Sequence, residues 1–106
     1  MVFNTGAALL DAIVLAVVSK EQEGTYGYKI TQDVRSVIDI SESTLYPVLR
    51  RLQKEECLEV YDMAIDGRNR RYYKITEKGR VQLNLNKGEW AGYSRKISQI
   101  FEEALI

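Results

Sequence analysis

Histidine is absent from the sequence and cysteine occurs once, at Cys57. Those two scarcities exclude a Ser-His-Asp triad, a Cys-His pair and a Cys/His zinc site. A single cysteine has no partner for an internal disulfide, which suits a reducing compartment; Cys57 reads as a small core residue. Long apolar runs are missing as well. The stretch Gly6 to Val18 is broken by Asp11, and it is shorter than the roughly 20 apolar residues that a bilayer span needs. It also lacks the basic leader of a signal peptide. These absences predict a cytoplasmic protein with no metal, no cofactor and no membrane contact. Paired acidic residues exist, but no motif gathers them and no phosphate loop is present, so an enzyme is not expected.

Net charge is lacking too: 15 basic residues balance 15 acidic ones. Phosphate contacts demand Lys and Arg, so this balance at first argues against nucleic acid. The distribution reverses that argument. Between residues 68 and 80 stand Arg68, Arg70, Arg71, Lys74, Lys78 and Arg80, with Glu77 as the only acid. A local field of this kind governs docking on a polyanion more than the sum does.

What is present is ordinary globular composition, 45% hydrophobic and 28% charged over 106 residues, enough for one core. Leu9, Leu10, Ile13, Val14, Val17 and Val18 follow helical spacing and predict a buried first helix from Gly6 to about Lys20. Thr25 is the expected N-cap of a second helix to about Ile38, with Ile30, Val34, Val37 and Ile38 inward. Gly27 in its first turn points either to close helix packing or to a phosphate approaching the backbone. Leu45, Val48, Leu49 and Leu52 predict a third helix. The only proline, Pro47, must lie near its start, so the helix begins between Ser41 and Ser43. Helices two and three, a few residues apart, form a helix-turn-helix.

Leu58 to Met63 and Arg71 to Ile75 read as strands joined by a turn at Asp66-Gly67, with arginines at the tip. Thr76 then caps a long last helix, in which Leu83, Trp90, Ile97 and Ala104 recur every seven residues, joined by Tyr93 and Ile100. Such a seam either folds back on its own core or pairs with a second copy. A helix of about 30 residues outruns what a small core can cover, so pairing is expected, with Leu83, Trp90, Ile97 and Ile100 as dimerisation residues. Asn86, Gly88 and Gly92 interrupt the seam. The predicted fold class is mainly α with a small β-hairpin: a winged helix-turn-helix over residues 1–78, then a dimerisation helix over 79–106.

The third helix presents Ser43, Thr44, Tyr46, Arg50, Arg51 and Lys54 on the face left when its leucines turn inward, and Tyr26, Tyr28 and Lys29 open the second helix. Hydroxyls and free N–H groups near a helix start suit phosphate oxygens, and arginine suits guanine edges or phosphates. With Arg68, Arg70 and Arg71 in the wing, these residues form the candidate DNA-binding set. Taken one at a time, each is equally a solvated helix residue.

Three segments carry a resemblance to the PadR family of bacterial transcriptional regulators. They are Tyr26-Gly27-Tyr28 followed by Ile30, the run Ser43 to Leu52, and the run Gly67 to Gly79. Arg71 stands where the family's Gly-Arg-x-Arg-Lys-Tyr-Tyr pattern has Lys, and Cys57 falls where many members carry Gly. The resemblance implies a homodimeric repressor bound to double-stranded DNA. It also implies an aromatic-lined space for a small flat hydrophobic ligand, with Trp90 and Tyr93 as the ligand-binding residues; alternatively Trp90 only packs the seam. The competing functional reading is a winged-helix protein-interaction module that never touches DNA.

Overall fold

The computed structural model describes residues 6–105; residues 1–5 and 106, the outer ends of the two expected segments, lie outside the described residues. Among the described residues, four helices and three strands follow the order α1 (Ala7–Ser19), β1 (Thr25–Tyr26), α2 (Gly27–Arg35), α3 (Glu42–Lys54), β2 (Leu58–Ile65), β3 (Arg68–Ile75) and α4 (Glu77–Glu102). The sheet is antiparallel with order β1-β3-β2. Among the described residues no helix is long and apolar enough to cross a membrane.

One core holds the elements together. Val14, Leu15 and Val18 of α1 meet Ile30 and Val34 of α2 and the α3 stripe Leu45, Val48, Leu49 and Leu52; Leu58, Tyr73, Ile75 and Leu83 close it from the wing and α4. Fully burying such side chains contributes on the order of 1.5–3 kcal/mol each before entropy is counted. The α3 stripe is the one its sequence spacing predicts.

Helix two differs from expectation at both ends. Thr25 does not cap it: Thr25 and Tyr26 pair with Tyr73 and Tyr72 as the short strand β1, and Tyr26 occupies the N-cap position. Edge pairing satisfies backbone groups that a cap would have left to one side chain. The helix stops at Arg35, so Val37 and Ile38 leave the core, Val37 with 84% of its surface exposed. Helix three starts inside the window expected from Pro47, with Ser41 in the N-cap position.

The hairpin is longer than the sequence suggested, with register Leu58↔Ile75 through Ile65↔Arg68. Asp66 and Gly67 take φ of 53° and 75°, the two left-handed residues that a type I′ turn requires. Thr76 caps α4 as expected, its Oγ1 accepting from the Gly79 N–H at 3.0 Å. The same hydroxyl donates to the Glu56 carbonyl at 2.6 Å, which pins the start of α4 to the turn after α3. Gly79 makes that junction possible, because a Cβ there would lie 2.2 Å from the Cys57 carbonyl oxygen.

Candidate nucleic-acid interface

A cleft of about 710 Å³ opens between the start of α2, the solvent side of α3 and the wing strand β3. Seven of the expected DNA-binding residues line it: Tyr26 and Tyr28 from the β1–α2 junction, Tyr46 and Arg50 from α3, and Arg68, Arg70 and Arg71 from β3. Tyr46 and Arg50 are one helical turn apart, so they point the same way. The Tyr46 ring passes over Gly27, where a Cβ would sit 3.4 Å from Cε1; this favours packing as the reason for the glycine.

The wing side is ordered by aromatic contacts. Tyr72 stacks on Tyr61 at 5.6 Å and meets Tyr26 edge-on at 5.7 Å, following the register across the three strands. The Arg70 guanidinium lies 4.5 Å from the Tyr26 ring centroid, a cation–π contact that holds it over the cleft. Arg71 is 3.8 Å from Asp62 across the hairpin, and both are well exposed, so the pair holds Arg71 only weakly. Burial pushes the Tyr73 hydroxyl above its ordinary range despite the opposing pull of Arg71 and Arg50. At neutral pH it is therefore a proton donor.

The remaining candidates lie elsewhere. Ser43 and Thr44 are exposed on the first turn of α3, their hydroxyls 3.0 and 2.9 Å from that of Ser41. Lys29 turns to Glu21 at 3.0 Å and Asp33 at 3.5 Å, and its pKa is raised first by the Glu21 hydrogen bond and then by the Asp33 charge. Arg51 turns to Asp11 of α1 as an ion pair. Sequence reasoning missed Asn69 and Tyr73 as cleft residues. Tyr73 shares a face of β3 with Ile75 and is buried with it in the core; that it also lines the cleft depends on how the neighbouring helices pack. Asp11 carried one usable signal, a lone charge in an apolar helix.

On α4, Trp90 and Tyr93 stack at 6.3 Å. Leu83 is buried in the core of its own chain, together with Asn86, whose Oδ1 accepts from Gln82 Nε2 at 2.8 Å. Ile97 is half-buried and Ile100 is 61% exposed.

Chemically, the cleft offers four guanidinium groups and several tyrosine hydroxyls on a concave surface, a set of hydrogen-bond donors with no carboxylate among its lining residues. Such donors suit phosphodiester oxygens.

A model of the transcriptional regulator PadR-like family matches residues 14–85. The chain is 33% identical over 73 residues to transcriptional regulator Rv3488 of Mycobacterium tuberculosis, covering 68% of each. Among solved structures it is similar to smu.1704 of Streptococcus mutans, with TM-score 0.83, 37% identity and coverage of 100% and 98% of the two chains. A PadR-like transcriptional regulator of Bacillus cereus superposes with TM-score 0.80 at 31% identity, covering 91% of this chain and 94% of that one.

Proposed function

Because the chain belongs to the PadR-like family of transcriptional regulators, we propose that it binds double-stranded DNA as a homodimer and represses transcription in the cytoplasm. The family's members are regulators and not enzymes. One observation carries the proposal: the start of α2, the reading helix α3 and the wing converge on a single cleft lined by Arg50, Arg68, Arg70 and Arg71. In this reading α3 enters the major groove, with Arg50, Tyr46, Ser43 and Thr44 at base edges and adjoining phosphates. The cleft seats one sugar-phosphate strand, and the wing holds the flanking backbone.

Residues 1–78 then form the reading head and 79–106 the helix that pairs two heads. Trp90, Ile97 and Ile100 form the pairing seam. The stacked Trp90 and Tyr93 supply a flat aromatic surface for a planar hydrophobic ligand, which acts by favouring one separation of the two heads.

The test is a mobility shift and footprint on DNA upstream of the chain's own gene at physiological salt. The expected result is a discrete complex on an inverted repeat whose half-sites lie about one helical turn, roughly 34 Å, apart. Absence of any complex on that DNA and on a genomic library would overturn the reading in favour of a protein-interaction module.

A further inference from the structure

We propose that Arg51 is a positioning residue and not a DNA contact: its ion pair with Asp11 locks the reading helix to α1 and so sets how the cleft meets the duplex. The proposal rests on the DNA-binding reading above and deepens it.

Arg50 and Arg51 are adjacent in sequence, but successive helical residues diverge by about 100°. Arg50 follows Tyr46 into the cleft. Arg51 follows Val48, at the border of the inward stripe, and its guanidinium reaches Asp11 forty residues earlier in the chain. Asp11 is the only charged residue in α1, whose other members are small or apolar. Its side chain is only 18% exposed. A carboxylate withdrawn that far from water is costly unless a cation and hydrogen bonds compensate it. Arg51 provides both, and Asp11 in turn fixes the guanidinium away from the DNA-facing side.

The pair matters because of what it connects. α1 packs along α4, the helix assigned to pairing. The far end of α3 is already tied to the start of α4 through Thr76, which binds the Glu56 carbonyl, and through the Gly79 contact with Cys57. Arg51–Asp11 is a second attachment, on the flank of α3. With the apolar stripe of α3 already packed in the core, these polar attachments fix the remaining freedom of its exposed flank.

The experiment compares wild type with Asp11→Asn, Arg51→Gln, the double variant and the charge reversal Asp11→Arg with Arg51→Asp. Affinities for operator and for unrelated DNA are measured at several salt concentrations, well below each variant's melting temperature. Asp11→Ala suits the small apolar character of α1 and replaces Asp11→Asn if that variant folds poorly. Each single change is expected to weaken operator binding about tenfold or more while unrelated DNA is bound within about twofold of wild type. The salt slope stays unchanged, the double variant is no worse than either single, and the reversal recovers most of the loss. A salt slope reduced by about 0.9 per subunit in Arg51→Gln, with Asp11→Asn binding like wild type, would overturn the proposal and make Arg51 a phosphate contact. Operator affinity unchanged in all variants would overturn it as well. Failure of the wild type to bind DNA would instead sink the functional reading on which the proposal depends.

Discussion

Glu56 is held at φ 64° in the turn that ends α3. The Cys57 N–H donates to the Leu52 carbonyl at 2.9 Å and the Glu56 N–H to that of Gln53 at 3.0 Å, the paired bonds of a Schellman cap. A left-handed L-residue costs roughly 1–2 kcal/mol that glycine avoids, offset in part by the greater freedom of glycine in the unfolded chain. Glu56→Gly is therefore expected to stabilise the protein by about 0.5–1 kcal/mol, read as a higher urea midpoint at unchanged slope. The sequence pointed to Cys57 as the place where a glycine was missing; the strained residue is the one before it. Cys57 itself is buried, and desolvation pushes its thiol above the ordinary range, reinforced by the Glu55 charge. The native state thus keeps a proton that the unfolded state releases. The stability this contributes is complete below the ordinary thiol pKa and is lost as pH rises through the folded value. Cys57→Ala should show a smaller drop in denaturation midpoint between pH 7.5 and pH 10 than wild type; equal drops would show that the thiol does not contribute.

At the level of elements, α4 has two halves. It spans 26 residues, about 39 Å at 1.5 Å per residue, and the molecule measures 60 × 27 × 20 Å. Leu83 and Asn86 continue the same seven-residue stripe as Trp90, Tyr93, Ile97 and Ile100. The first two are sealed within their own chain, whereas Ile100 and Phe101 stand 61% and 73% exposed on the overhang. The heptad pattern identified one face without showing where its partner changes; the buried residues of α4, Gly79, Leu83 and Asn86, all lie in its first half. Leu83 is accordingly a core residue of the subunit, and the proposed pairing falls on the second half. Ile97→Glu combined with Ile100→Glu is expected to give a monomer by analytical ultracentrifugation with the α1–β3 core still folded. A dimer that survives both charges would place the interface elsewhere.

Across the whole molecule, neutrality conceals a local concentration of cations. Arg68, Arg70 and Arg71 of β3 line the cleft, whereas Glu59, Asp62 and Asp66 lie on or beside β2, the edge strand, with Glu59 opposite Lys74 and Asp62 opposite Arg71. Replacing Arg68 and Arg71 with Ala should lower DNA affinity and flatten its dependence on salt by roughly 0.9 per lost phosphate contact; binding unchanged at several salt concentrations would count against the wing. The α1 and α3 helices, the hairpin turn, the Thr76 cap and the cluster of cations were all readable from residue order, because caps, turns and apolar periodicity act within a few residues of one another. Contacts between distant residues decided the rest. Strand pairing with Tyr72 and Tyr73 drew Thr25 and Tyr26 out of the second helix, and Asp11 drew Arg51 from across forty residues. Which cations share one cleft is a question of side-chain direction, and direction is settled only when the elements pack.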